Sequence, residues 1–173
     1  KSTFVNVINK LLGDYSKAAS SQTLVAKGSS SIGDDLVDLV SARLISVSET
    51  EAGEALAEAK IKQMTGGDVL KGRPLYGSWL EFSIIGKIFL ATNSLPQINN
   101  TDHGIWRRIQ AIPFNRTFRA EEQDKDLGVK LTAELPGILN WAIKGCLEWQ
   151  EQGLNPPQIV LEQVSAYKTE MDS

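Results

Sequence analysis

Long apolar runs are missing from this chain. No stretch approaches the roughly 18 residues a membrane span requires, and no signal-peptide pattern is visible, so neither membrane residence nor secretion is expected. Cysteine is almost missing too. A single Cys146 excludes an internal disulfide, and its place in an apolar helical stretch predicts a buried free thiol in a reducing compartment. One histidine, His103 in a loop, excludes a multi-histidine metal site. There is no excess of basic charge either. Lys and Arg number 18 against 21 Asp and Glu, for a net charge of -3, so any nucleic-acid contact must be local rather than spread over the surface. Internal repeats and low-complexity tracts are absent.

What is present reads as globular. The 42% hydrophobic and 23% charged residues are ordinary globular values and argue against disorder of the whole chain. A length of 173 residues suits one domain with a sizeable core, or one domain plus a small helical appendage. The apolar spacing of Phe4, Val5, Val7, Ile8, Leu11 and Leu12 predicts a helix over 2–12, stopped at Gly13-Asp14. A short strand is expected at 22–26, a loop at 27–33 and a helical turn or two at 34–40. RLISVS at 43–48 predicts a buried strand. Residues 54–64 read as a helix capped by Gly66-Gly67. The loose alternation over 69–82, broken by Gly72, Pro74 and Gly77, predicts a hairpin with an irregular tip. KIFLAT at 87–92 is expected as a second buried strand, 93–104 as a polar loop, and 108–114 as a third strand. Helices follow at 127–135, 136–152 and 156–171. Strands alternating with helices argue for an α/β fold with a mostly parallel sheet.

Four short patterns carry chemistry. Lys1-Ser2-Thr3 opens an amphipathic helix, as the end of a phosphate-binding loop does. There the helix N-terminus holds phosphates, the lysine reaches the terminal ones and the hydroxyl holds Mg²⁺. Glu49 follows a buried strand, where an acid can polarise an attacking water, and Glu51 is a candidate to assist with metal. Asn93 ends the 88–92 strand, and sites of α/β sheets lie at strand carboxyl ends. Arg107 and Arg108 open the next strand, and an arginine there can reach a neighbouring subunit's nucleotide. Each has an ordinary alternative: a chance terminus, a surface acid, a loop cap, a pair of surface arginines.

In order, KSTF, RLISVSETEAG, AEAKIKQMTGGDVLKGRPLY, IFLATNSLP, DHGIWRRIQAIPF and ELPGILNWAIKG resemble the superfamily 3 helicase domain of phage and plasmid primase–helicases, related to the poxvirus-type domain. The likeness covers nearly the whole chain. It implies an AAA+-like P-loop NTPase with a three-layer core, a DNA-contacting β-hairpin and a small C-terminal helical subdomain, dividing the chain into 1–118 and 119–173. It implies ATP and Mg²⁺ as cofactors, a homo-oligomeric ring, hexameric in the family, single-stranded or forked DNA as partner, an attached or associated primase domain, and the cytoplasm of a bacterial host or virus-infected cell. By the same resemblance Lys1, Ser2 and Thr3 are the tail of the nucleotide loop, with Ser2 and Glu49 on the metal. Glu49 is the catalytic acid, Asn93 the sensor, and Arg108 the finger acting in trans, with Arg107 its close competitor. Two departures stand out. The family's central first strand and loop glycines are not in the chain, and Ser48 sits where many NTPases have an acid. An inactive DNA-binding or ring-scaffold fragment and a different P-loop ATPase, such as a loader or protein remodeller, are the competing readings.

The expected hairpin offers Lys71 and Arg73 to phosphates and Tyr76 for stacking or wedging, with Lys62 on the preceding helix as a candidate second contact; the ordinary alternative is a solvated hairpin with Tyr76 packed on its neighbour. Trp79, Trp106, Trp141 and Trp149 are expected as core or packing residues. Trp141 and Trp149 share one helix face, expected to lie on the sheet or on the next subunit.

Overall fold

A computed structural model describes residues 1–26, 34–48, 53–99 and 103–172. Helix α1 (Ser2–Leu12) buries Val7 and half-buries Val5, Ile8 and Leu11, the stripe its periodicity predicts. It ends at Gly13, whose φ of 52° lies in the left-handed region that glycine enters without steric cost. Strand β1 (Ser16–Ala19) follows, then the short helix α2 (Asp34–Val37) and strand β2 (Leu44–Ser48). Helix α3 (Glu58–Gly66) is closed by Gly67 at φ 81°, a left-handed C-cap. Strands β3 (Leu70–Gly72) and β4 (Leu80–Phe82) form an antiparallel hairpin, paired Leu70↔Phe82, Lys71↔Glu81 and Gly72↔Leu80. Strand β5 (Lys87–Ala91) and helices α4 (His103–Trp106), α5 (Leu127–Ala133), α6 (Leu135–Gln152) and α7 (Gln158–Met171) complete the chain.

The main sheet is three-stranded and parallel, in the order β1-β2-β5. Central β2 buries Leu44, Ile45, Ser46 and Val47, as an apolar, β-branched run flanked on both sides must. Ser46 is tolerated because its hydroxyl is bonded: Asn9 Nδ2 donates to it at 3.2 Å, while Ser16 Oγ donates to Asn9 Oδ1 at 2.6 Å. This small network fixes α1 over β1 and β2. The core gathers Leu36, Leu39, Ile45, Val47, Met64, Ile98, Ile105 and Trp106, and α7 adds Tyr167.

Several expectations change. The predicted strand at 22–26 is instead a 3₁₀ turn, Ser21–Thr23, capped by the Ser20 side chain, with Val25 making a single bridge to Leu56. The strand on that side of β2 is β1, in the weakly patterned SKAA stretch. Residues 108–114 form no strand; no described strand lies beside β5 on that side for them to join. For the same reason β5 is half-buried, not fully buried as expected. Cys146 is exposed, because α6 lies largely in solvent rather than in the core. Trp141 and Trp149, 64% and 55% exposed, therefore do not pack on the sheet, and only Trp106 is a core tryptophan.

Candidate functional site

Parallel pairing brings the carboxyl ends of all three strands to one edge: Ala19 lies opposite Val47, and Ser48 opposite Ala91. Helix α1 starts at this edge. The Lys1 ammonium donates to the Thr92 carbonyl at 2.6 Å and to Asn93 Oδ1 at 2.5 Å. Two patterns 92 residues apart in sequence thus meet. The lysine is held by neutral acceptors and makes no described ion pair, so its charge remains available to an anion. Ser2 and Thr3 are exposed in the first turn of α1, with the N–H groups that a helix start leaves unbonded. Thr3 also borders an open cleft of about 530 Å³ between α1 and the α5 region, crossed by a 3.2 Å bond from Lys10 to Thr132.

Glu49 and Glu51 lie outside the described residues. Ser48, the last residue of β2, pairs with Ala91, which directly precedes Thr92 and Asn93. The residues that are described fit the phosphate end of a nucleotide, pairing an unneutralised cation with free helix-start N–H groups and hydroxyls. Among the described residues no group of three or more His, Cys, Asp or Glu gathers as a metal cluster.

Arg108 and Arg107 differ in setting. Arg108 Nε donates to Thr65 Oγ1 at 3.0 Å and its Nη1 donates to the Gly104 carbonyl, which ties it to the C-terminus of α3. Arg107 is exposed, with no side-chain hydrogen bond or ion pair among the described residues.

The hairpin supplies a second cluster. Lys71 pairs with Glu81 at 2.9 Å across the strands; the ammonium holds the Glu81 carboxyl below its ordinary range, and Glu81 raises the lysine. At the tip Gly77 N–H donates to Pro74 O at 2.8 Å. Tyr76 there has φ 62° and is 99% exposed. Arg73 lies over the Trp79 ring, 5.7 Å from its centroid. Lys62 is half-buried on α3. The Asn9–Ser46 network and Trp79 were not expected at either cluster. An asparagine inside an apolar helix was the signal for the first; nothing in the sequence marked the second.

The loop that carries Asn93 is held from behind. Tyr167 Oη of α7 donates to the Pro96 carbonyl, the Ile98 N–H reaches Met171 Sδ at 3.5 Å, and Trp106 meets the Tyr167 ring edge-on at 5.2 Å. Burial pushes the Tyr167 phenol up from its ordinary value of 10.0, with Glu170 adding to the shift.

The architecture is α/β, with a parallel sheet whose strand ends face a helix N-terminus, compatible with a P-loop-like core. Comparison with known proteins points the same way. Over 99% of its length the chain is 28% identical to a protein of Acanthamoeba polyphaga mimivirus and 26% identical to one of Frog virus 3, each named a "putative helicase". A third so named, from Invertebrate iridescent virus 6, is 32% identical over 46% of the chain. The chain spans about 20% of the length of each of the first two relatives. No family model matches. No helix of the described residues is long and apolar enough to cross a membrane.

Proposed function

We propose that this chain is the motor core of an ATP-driven DNA helicase of the superfamily 3 type, working in a primase–helicase and in a homo-oligomeric ring, hexameric as in the family it resembles. The meeting of Lys1 with Asn93 and the Thr92 carbonyl carries the proposal, because it joins the nucleotide-loop pattern to the sensor pattern at the carboxyl ends of parallel strands. The full-length likeness to helicase-named viral proteins supports it.

In this reading ATP with Mg²⁺ supplies the transferable phosphoryl group. Lys1 releases its Thr92 and Asn93 acceptors and neutralises phosphate charge. The α1 N–H groups and the Thr3 hydroxyl would bind phosphate oxygens, and the Ser2 hydroxyl and Glu49 would hold the metal. Glu49 takes the proton of the attacking water, and the Asn93 amide, freed from Lys1, orients it.

The motif assigns the trans-acting finger to Arg108, which would first have to leave Thr65 and Gly104; the exposure of Arg107 favours Arg107 in that role. Residues 1–118 form the motor and 119–173 a helical subdomain. Lys71, Arg73 and Tyr76, with Lys62 behind them, contact single-stranded DNA in the ring channel.

Glu49→Gln in the full-length protein tests the centre of this reading. Nucleotide binding should persist, while turnover should fall by two orders of magnitude or more, about the contribution of a positioned general base. Hydrolysis at the normal rate in that variant would remove Glu49 from the mechanism.

A further inference from the structure

We propose that Trp79 is a base-stacking residue, the platform on which the hairpin holds a nucleotide of single-stranded DNA; the inference rests on the reading of the hairpin as the DNA-contacting element. The sequence alone makes Trp79 a packing residue, and the structure denies it a core. It is 67% exposed, and the tip residues Leu75 and Tyr76 beside it are 73% and 99% exposed. A large aromatic left in water at the start of a strand needs a reason, since its burial is worth a few kcal/mol.

The indole is not loose. Arg73, across the hairpin, sets its guanidinium 5.7 Å from the ring centroid, so the ring is held in one place while a face stays open to solvent. Such a tethered ring loses little freedom when a base settles on it. The charge is complementary as well: Arg73 and Lys71 flank the platform, one for the phosphate of the stacked nucleotide and the other for its neighbour. Lys71 rests on Glu81 at 2.9 Å, an exposed pair that a phosphate can displace at little cost. Stacking asks for no particular base, which suits a motor that must move along any sequence.

Binding of a labelled oligothymidylate and of an abasic strand of equal length, followed by fluorescence anisotropy at low salt, tests this. The unaltered chain should bind the thymidylate more tightly than the abasic strand. Trp79→Ala should weaken thymidylate binding about tenfold and leave the abasic strand unchanged, and Trp79→Phe should keep most of the affinity. Lys71→Ala should weaken both strands alike. If Trp79→Ala binds like the unaltered chain while Lys71→Ala is impaired, the stacking role is overturned and the hairpin reading stands. If Trp79→Ala instead turns an oligomer into a monomer by light scattering and both strands are lost together, Trp79 is a subunit contact and the proposal fails. Failure of the unaltered chain to bind either strand overturns both the inference and the hairpin reading.

Discussion

Tyr76 shows how much one residue can concede for position. Its φ of 62° places a bulky L-residue in the left-handed region, which costs about 1 kcal/mol, and its ring is almost wholly in water, so no packing offsets the cost. Strain without local compensation suggests function. Tyr76→Gly should therefore stabilise the chain by about 1 kcal/mol in denaturant unfolding while weakening single-stranded DNA binding. A variant that loses stability would mean that the turn depends on the tyrosine itself. Lys71, Arg73 and Tyr76 could be picked out in the sequence as candidate DNA contacts because charge and aromaticity between turn residues are local signals. Trp79 could not, because a sequence shows how apolar a residue is and not whether anything covers it. Glu49 was legible only as an acid after a strand, and the structure fixes the strand end before it rather than the acid.

Among the elements, β2 and β5 were legible because each carries an apolar run longer than the turn signals around it. Strand β1 was not: Ser-Lys-Ala-Ala has little β propensity, and it is extended because β2 offers it a parallel ladder. The opposite error at 108–114 has the same source. Those residues look like a strand, yet a strand needs a partner, and the described sheet ends at β5. Phe114 instead meets Phe4 of α1, their ring centroids 6.1 Å apart. Between β2 and β5 the spacing is set at Gly86, where an added Cβ would come within 2.8 Å of the Ala42 carbonyl oxygen and 3.1 Å of the Ile45 side chain. Backbone cannot step aside as a side chain can. Gly86→Ala should lower the unfolding free energy by about 1–3 kcal/mol in urea denaturation and, by pushing β5 away, loosen the Lys1–Asn93 contact. An unchanged midpoint would show that the two strands slide apart freely.

Across the whole molecule, helix α7 braces the loop that follows β5. Tyr167 lies on α7, 71 residues from the Pro96 carbonyl it binds, so the loop after Asn93 is braced by the last helix of the chain. Tyr167→Phe should cost about 1 kcal/mol, the net worth of one buried hydrogen bond. The pH dependence has a definite sign. Burial holds the folded phenol above its ordinary value of 10.0, so the folded chain keeps a proton that the unfolded chain releases as pH rises past that value. The stabilisation is complete below pH 10.0 and is lost above it. Unfolding free energies measured from about pH 9 to about pH 11 should fall for the unaltered chain and fall less for Tyr167→Phe. Equal slopes for the two would place the alkaline sensitivity elsewhere.

The sequence by itself determined the class of fold, most helices, strands β2 and β5, the hairpin, and the order of residue patterns that the nucleotide reading uses. These depend on periodicity, turn chemistry and short motifs, all of which act within a dozen residues. Only the tertiary structure decided that Lys1 reaches Asn93, that Arg108 is tied to α3 while Arg107 is exposed, that β1 rather than 22–26 joins the sheet, and that Trp79 stands in solvent. Each of these depends on which distant surface lies alongside. Strand pairing and burial settle that between segments tens of residues apart, where no local pattern records it.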